Sequence, residues 1–272
     1  MHVTSPTFIA PAEQALADQF IRDGYVIVPV ADRTSLDWLR NTLVDLTADF
    51  LSLDRKKDPS KFLNGIHDHV TPERLNALRL SVLEGLNANP DTRPRYFSLA
   101  QTVLSSLVGN ELAMQRRVNL SIQLPGDTSS LLPIHADVLN GDSPLEVVQW
   151  TPYVDCHGTK SIFILPPSKS ALAFERLSEM SDNAELYDEV SEGLVWLTVP
   201  YGSTLIFNQN LLHGNVTNEE SETRWSSNCR YKSVFTPYAD KRLGEFFEPI
   251  TLKPASQIGM NFKFPLGLHS ED

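Results

Sequence analysis

Three features are scarce or missing in this chain of 272 residues, and each excludes a class of protein. Its two cysteines, Cys156 and Cys229, are too few for a disulfide framework or a four-thiolate zinc site. No apolar run reaches about 18 residues, so no transmembrane helix is predicted. Positive charge is scarce too, because 23 Lys and Arg stand against 34 Asp and Glu, a net charge of −11. This charge argues against nucleic acid or an anionic membrane as the main partner.

The N-terminal segment also lacks the features of a secretory signal. Met1–Pro11 contains no basic stretch followed by an apolar core. Both cysteines lie in strand-like runs, where buried and reduced thiols are the usual outcome. We therefore expect a cytoplasmic protein. Its 41% hydrophobic and 21% charged residues are typical of an ordinary globular chain.

The first 110 residues have the periodicity of helices. Leu36, Leu39 and Leu43 recur at spacings of three and four, which places them on one helix face. Gly24 favours the end of an earlier helix, and Thr71-Pro72 is a start signal for a later one. The charged segment 56–69 contains Pro and Gly and is expected to be a loop. Helices are predicted at 11–23, from 32 or 34 to about 50, from 72 onward and at 94–108, with a strand at 25–28.

The second half changes to the two-residue period of strands. Apolar and polar residues alternate from Met114 to Leu124, as in a strand with one polar face, although Arg116 breaks the apolar side. Further strands are predicted at 146–154, 161–165, 194–199, 203–207 and 226–235, with a helical excursion at 171–188. Helices followed by many short strands favour an α+β fold with a β-sandwich or barrel core. No repeat or linker interrupts the chain, so a single domain is expected.

A His-x-Asp motif is the first candidate for chemistry. His135 and Asp137 are two residues apart beside a strand, so both side chains project to one face. His213 follows a later predicted strand and is expected to join them. Two imidazoles and one carboxylate form the facial triad of non-haem Fe(II) oxygenases, which leaves coordination positions open. A single histidine is more often structural, and a second motif, at His269, has no later histidine to complete it.

Basic residues near the strand that follows His213 are candidates for carboxylate binding. Arg224 and Ser226 lie on one strand face, and a guanidinium beside a hydroxyl suits a carboxylate held by two hydrogen bonds. The alternative for Arg224 is an ion pair with a nearby glutamate. Arg230 lies on the same face and either binds a second carboxylate or the substrate, or forms a structural ion pair. Lys160 is another carboxylate candidate, with a solvated lysine as the alternative.

Several longer stretches resemble a known family, the phytanoyl-CoA dioxygenase-like group of Fe(II)- and 2-oxoglutarate-dependent oxygenases. The resemblance covers most of the chain and is carried by 20–29, 135–137, 201–207, 212–215 and Arg224. Arg224 stands where the group has its 2-oxoglutarate arginine. The stretch 165–170 occupies the place of a Pro-Gly-Ser-His turn but lacks the Gly and the His. More closely, 135–138, 141–144, 159–166 and 222–233 are similar to oxygenases of sporadic carbohydrate-biosynthesis clusters, including the streptomycin-pathway type.

This resemblance implies a double-stranded β-helix (jelly-roll, cupin-like) core with N-terminal helices packed on it. The whole chain, 1–272, would be one oxygenase domain, with a mainly helical part at 1–110, the core at 111–240 and a C-terminal extension at 241–272. Fe(II) would be held by His135, Asp137 and His213, and O2 would be the cosubstrate. 2-Oxoglutarate would be held by Arg224 with Ser226. Gln123 and Lys160 are further candidates for binding it.

The resemblance also implies an activity, the hydroxylation of a carbohydrate or sugar-derived metabolite in a biosynthetic pathway. Halogenating relatives have a small residue in place of the metal carboxylate, so Asp137 favours hydroxylation over halogenation. Desaturation, epimerisation and ring formation stay open. One alternative is an oxygenase for an amino acid or another small polar metabolite. A second alternative is a cupin-like sugar-binding module without catalysis.

Candidate substrate contacts come from polar residues expected to face the barrel interior. Asn119 and Arg117 belong to the polar face of the 114–124 strand, where inward polar groups need a polar ligand. The alternative for them is an outer face in solvent. Trp150 is placed to stack on a sugar, although core tryptophans are commoner. His67 and His69 are placed on a mobile lid near the substrate, with a plain exposed loop as the alternative. The oligomeric state stays open.

Overall fold

The computed structural model describes residues 8–54 and 58–265, and the second motif at His269 lies outside these ranges. The helices of the described residues are α1 (Pro11–Asp23), α2 (Arg33–Leu51), α3 (Pro59–Asn64), α4 (Pro72–Ala88), α5 (Thr92–Ser98), α6 (Gln101–Leu107), α7 (Pro167–Arg176), α8 (Asn183–Val190) and α9 (Pro254–Asn261). The strands are β1 (Tyr25–Pro29), β2 (Leu112–Gln115), β3 (Asn119–Gln123), β4 (Glu146–Pro152), β5 (Phe163–Ile164), β6 (Val195–Trp196), β7 (Ser203–Asn208), β8 (His213–Gly214), β9 (Arg224–Ser233) and β10 (Phe247–Pro249). None of these helices is long and apolar enough to cross a membrane.

Local signals explain where the first helices begin and end. Gly24 has a φ of 77°, and its N–H donates to the Phe20 carbonyl, so α1 ends in the left-handed conformation that glycine tolerates. Asp32, not Thr34, caps α2, because its carboxylate accepts a hydrogen bond from the Ser35 N–H at 2.9 Å. The predicted boundaries of α1 are therefore confirmed.

Three predicted elements differ from the structure. The expected loop at 56–69 contains α3 and a short 3-10 turn at Ile66–Asp68, because Phe62, Leu63 and Ile66 are buried in the core. The expected helix at 94–108 is two helices, α5 and α6, that break at Leu99–Ala100. The expected strand at 114–124 is also two, β2 and β3, because the chain bends at residues 116–118.

The strands form two antiparallel sheets. The larger has seven strands in the order β1-β7-β4-β9-β2-β10, and β3 pairs with the first half of β9. The smaller has three strands in the order β6-β5-β8. An isolated bridge between His135 and His213 extends the smaller sheet beyond β8. The architecture is thus a mixture of helices and antiparallel sheet.

The long central strand β9 separates the helical layer from the candidate site. Side chains alternate along it, and those at 225, 229 and 231 belong to the core shared with the helices. The Trp225 indole donates to the Leu63 carbonyl at 2.9 Å, and the Tyr96 hydroxyl donates to the Ser227 carbonyl at 2.8 Å. The side chains at 224, 228 and 230 line a cavity on the opposite face. The N-terminal helices therefore pack on the outside of the larger sheet.

Candidate metal and substrate site

Backbone pairing brings the two candidate histidines together. His135 and His213 are cross-strand partners that exchange both N–H···O bonds, at 2.9 and 2.8 Å. Asp137 begins a 3-10 turn two residues after His135 and lies 3.5 Å from its Nε2 atom. One ligand atom from each of the three residues lies within 4.8 Å of the others. The structure therefore gathers the predicted His-Asp-His set at one point.

Backbone carbonyls fix which nitrogen each imidazole presents. The Nδ1 atom of His135 lies 2.7 Å from the Pro133 carbonyl, and that of His213 lies 2.9 Å from the Leu211 carbonyl. A carbonyl oxygen only accepts, so each Nδ1 carries the proton and donates it. In the neutral rings both Nε2 atoms therefore keep their lone pairs. This orientation is usual for metal-binding histidines, whose second nitrogen is held by an outer hydrogen bond.

Burial and charge set the protonation of the three groups. Burial lowers the pKa of His213 to about 4, although the nearby Asp137 opposes the change. Burial also lowers the pKa of His135, but the hydrogen bonds to Asp137 and Pro133 outweigh it and the net shift is upward. Burial raises the pKa of Asp137, yet its hydrogen bond with His135 and the neighbouring His213 and Arg230 hold it well below its ordinary value. At neutral pH the site thus offers a carboxylate and a neutral His213.

The buried His213 predicts a loss of stability in acid for the metal-free protein. The unfolded chain takes up a proton near pH 6.5, whereas folded His213 does so only near pH 4. Its contribution is therefore present above pH 6.5 and is lost as the pH falls toward 4, up to about 3 kcal/mol. Urea unfolding at pH 7.5 and 5.0 measures this, with His213→Gln as the comparison. We expect a smaller acid loss in the variant, and equal losses would contradict the prediction.

A cavity of about 690 Å³ opens beside the three ligands. Its wall includes all three of them, together with Arg224, Arg230, Asn119 and Trp150 from the sequence prediction. Asn119 donates to the Asn228 side chain at 2.9 Å, and Trp150 is largely buried. Polar groups thus line a space large enough for a small metabolite.

Arg224 is a buried cation in this wall. Its guanidinium donates to the Ser161 carbonyl at 3.0 Å and to the Ser121 hydroxyl at 3.1 Å, while its Nε has no partner. Burial lowers the pKa of Arg224 to about 10. Among the described residues no carboxylate pairs with it, so the glutamate ion pair considered above does not occur there. Burying an unpaired charge is unfavourable, which indicates that an anion belongs beside it.

Arg230 pairs with the candidate metal carboxylate. Its Nη2 lies 2.9 Å from Asp137 Oδ1, and its Nε lies 3.3 Å from Asp142 Oδ1. Lys241 forms a further ion pair with Asp142, whose side chain is fully buried. Of the two alternatives for Arg230, the structure contains the ion pair. Arg230 thus holds Asp137 through Oδ1, the same oxygen that lies 3.5 Å from His135 Nε2.

Three residues predicted to bind 2-oxoglutarate lie outside the cavity wall. Ser226 is buried behind it, with its hydroxyl unpartnered. Gln123 lies opposite Arg224 in the sheet, but its amide donates to the Val216 carbonyl at 2.7 Å. Lys160 is fully buried and donates to Asn64 at 2.9 Å and to Glu222 at 2.7 Å, so the solvated lysine considered above does not occur. The structure gathers these residues near Arg224 without exposing them to the cavity.

Because its ammonium is already paired, Lys160 is predicted to contribute to stability. Lys160→Met should lower the free energy of unfolding by about 1–3 kcal/mol, since it leaves the Asn64 oxygen without a donor. The loss is limited because the Glu222 side chain is 49% exposed and stays solvated. The affinity for 2-oxoglutarate should not change. Urea unfolding and 2-oxoglutarate titration measure both, with the exposed Lys61→Met as control, and a selective loss of 2-oxoglutarate affinity would refute this.

Three predicted substrate contacts are not on the cavity wall. Arg117 is exposed at the bend between β2 and β3, so the continuous polar face expected at 117–123 does not form. His67 lies in the 3-10 turn, with its Nδ1 3.0 Å from the Thr223 hydroxyl. His69 is exposed just after this turn. The segment is folded, so the mobile-lid interpretation of 67–69 has no support in its structure.

Several residues of the cavity wall are not among those predicted from the sequence. Asn228 could have been found, because it shares the alternating strand face of Arg224 and Arg230. Asp142 lies in the 141–144 stretch that carried the family resemblance, but nothing in its spacing predicts the pair with Arg230. Lys241 and Arg79 come from the C-terminal part and from α4, and no local pattern marks them.

Comparisons with known proteins find similarity at the level of the fold. No family model matches the chain, and no curated protein matches its sequence. Among solved structures, the non-heme alpha-ketoglutarate-dependent carbocyclase SnoK from nogalamycin biosynthesis has a TM-score of 0.55 at 14% identity, over 91% of this chain and 100% of that one. EctD from S. alaskensis, solved with 2-oxoglutarate and 5-hydroxyectoine, has 0.53 at 18% identity, over 87% and 81%. The nickel complex of the non-heme monooxygenase ThoJ has 0.50 at 14% identity, over 89% and 85%. The chain therefore shares its fold with these enzymes.

Proposed function

We propose that this protein is an Fe(II)- and 2-oxoglutarate-dependent oxygenase that hydroxylates a small polar metabolite. The observation that carries the proposal is one cavity whose wall holds both a His-Asp-His set and a buried arginine without a carboxylate partner. The fold shared with SnoK, EctD and ThoJ supports the same conclusion.

The three candidate ligands fit a divalent iron. Each Nδ1 is bound to a carbonyl, which leaves Nε2 of both rings to donate its lone pair to a metal that would replace the contact between His135 Nε2 and Asp137. Asp137 supplies one negative charge, and two imidazoles with one carboxylate are the ligands of non-haem Fe(II) sites with open positions. His135, Asp137 and His213 would therefore hold the metal.

The surroundings of Arg224 fit the far carboxylate of 2-oxoglutarate. Its Nε points to no acceptor, and a carboxylate would satisfy it while neutralising a buried charge. Ser121 and the Ser161 carbonyl already orient the guanidinium. Ser226, with an unpartnered buried hydroxyl on the same strand face, would become an additional donor if the cavity wall opened slightly. Gln123 and Lys160 would pack near Arg224 without contacting 2-oxoglutarate.

When bound, iron and 2-oxoglutarate would supply the oxidising power, with O2 consumed and 2-oxoglutarate converted to succinate and CO2. The chain's own residues orient these reactants and shape the space around the substrate. Arg230 holds Asp137 through an ion pair, and the helices pack on the other face of the sheet that carries Arg224 and Arg230. Asn119, Asn228 and Trp150 offer amide hydrogen bonds and a flat apolar surface. Together these groups suit a hydroxyl-rich substrate.

The finer identity of the protein rests on the sequence resemblance. We propose a phytanoyl-CoA dioxygenase-like enzyme of the sporadic carbohydrate-cluster type, with the two sheets as the walls of a double-stranded β-helix. On this view the chain is one oxygenase domain and its substrate is a sugar or sugar derivative.

Substrate-dependent succinate release tests the proposed function. Purified protein is incubated with Fe(II), 2-oxoglutarate and ascorbate and screened against sugars, nucleotide-linked sugars and amino acids, while succinate and oxygen are measured. We expect succinate and oxygen uptake to rise together with a sugar-type compound. A rise only with amino acids would replace the sugar proposal, and metal binding without any 2-oxoglutarate binding would support the non-catalytic module.

A further inference from the structure

Charge is distributed unevenly between the whole protein and the cavity. The chain has a net charge of −11. The charged residues of the cavity wall are four cations and two acids, Arg79, Arg224, Arg230, Lys241, Asp137 and Asp142. The wall therefore has a surplus of two positive charges. An iron dication and a 2-oxoglutarate dianion offset each other, so the surplus would persist in the loaded site.

Arg79 is the cation in this wall without an assigned anion. Arg230 and Lys241 pair with the two acids, and Arg224 is assigned to 2-oxoglutarate by the proposed function. Within residues 8–54 and 58–265, no carboxylate forms an ion pair with Arg79. Its guanidinium instead donates to the Asn76 side chain at 2.7 Å. This bond orients the group and leaves most of its N–H donors for another partner.

Arg79 lies on the face of α4 that lines the cavity, where it can contact a bound molecule. Pro72, Leu75, Asn76 and Arg79 line the cavity at spacings of three and four, so they form one face of α4. Arg79 is half-buried, and its charge is therefore less screened than that of an exposed arginine. The candidate metal ligands and Arg224 come from other elements, since His213 and Arg224 lie on strands and Asp137 begins a 3-10 turn.

We propose that Arg79 binds an anionic group of the substrate, a phosphoryl or a carboxylate group. This inference rests on the proposed function and narrows its substrate to an acidic polar metabolite. A guanidinium presents paired N–H donors that match two oxygens of either group. The anionic group then lies against α4, while the rest of the molecule extends along Asn119 and Asn228 toward the metal ligands.

Calorimetric titration of the Mn(II)- and 2-oxoglutarate-loaded protein tests this with three probes: glucose, glucose 6-phosphate and glucuronate. We expect at least one charged sugar to bind about tenfold or more tightly than glucose. Arg79→Gln should remove that advantage and leave 2-oxoglutarate binding unchanged. Arg74→Gln, an exposed arginine of the same helix outside the cavity wall, should keep it. The tighter charged probe identifies the phosphoryl or the carboxylate as the recognised group.

Two results would overturn the inference. One is an equal affinity for glucose and both charged sugars, and the other is a preference that survives in Arg79→Gln. Protein that loads Mn(II) and 2-oxoglutarate but shows either result defeats this inference alone. Protein that fails to load them defeats the proposed function, and this inference with it.

Discussion

Replacing Asp137 by alanine is expected to abolish 2-oxoglutarate turnover. The variant removes the anionic ligand and leaves two neutral imidazoles, which bind a divalent ion far more weakly. Loss of an outer contact of a metal site alone lowers affinity 10- to 100-fold, so loss of a ligand should lower it by more than about 100-fold. Mn(II) affinity and succinate formation measure the two effects.

Asp137→Ala is expected to fold, so its loss of activity can be assigned to the missing ligand. Arg230 keeps its contact with Asp142 in Asp137→Ala, so the cation is not left alone in the cavity wall. The control is Asp49→Ala, which removes an exposed carboxylate from α2 and should behave as the parent protein. Unchanged succinate formation in folded Asp137→Ala would contradict the assignment of this residue.

Arg224→Gln is expected to lower the affinity for 2-oxoglutarate by about 100-fold or more. Truncation of one member of a buried, hydrogen-bonded charge pair has an effect of this order. Metal affinity should change little, because the hydrogen bonds of the Arg224 guanidinium go to Ser161 and Ser121 and not to any of the three candidate metal ligands. The readouts are 2-oxoglutarate titration of the Mn(II)-loaded protein and KM for 2-oxoglutarate.

Arg224→Gln should not lower the free energy of unfolding of the unliganded protein, although it weakens 2-oxoglutarate binding. The unliganded parent protein buries a guanidinium without a counter-ion, and removing that charge relieves a desolvation penalty. We therefore expect the unliganded variant to be at least as stable as the parent in urea, while added 2-oxoglutarate stabilises only the parent. Arg117→Gln, at an exposed arginine, is the control. A strong loss of stability with normal 2-oxoglutarate affinity would make Arg224 a structural residue.

Local sequence patterns predicted the parts of the site that depend on one strand or one turn. The two-residue spacing of His135 and Asp137 puts them on one side, and the same period along β9 places Arg224 and Arg230 on one face. Gly24 and Asp32 mark helix boundaries by their backbone chemistry, which acts over a few residues. Such features are determined by residues that lie within a few positions of one another in the sequence.

Partners from distant parts of the chain could not be predicted in the same way. Lys160 can be buried because its ammonium donates hydrogen bonds to Asn64 of α3 and to Glu222. Neither partner is close to Lys160 in sequence. The bend at 116–118 redirects Arg117 to solvent, and its position is marked in the sequence only by Arg116, which interrupts the apolar side of the alternation. Both outcomes depend on packing between elements, which a local period does not encode.

The central claim is that His135, Asp137 and His213 bind one iron beside a 2-oxoglutarate held by Arg224. Anaerobic addition of 2-oxoglutarate to the Fe(II)-loaded protein, followed by visible absorption, tests it most directly. We expect a metal-to-ligand charge-transfer band whose intensity reaches its maximum at one iron per chain. The band should be absent in Asp137→Ala, and Arg224→Gln should need a far higher 2-oxoglutarate concentration to produce it. Absence of the band in iron-loaded parent protein, or its persistence in Asp137→Ala, would contradict the account.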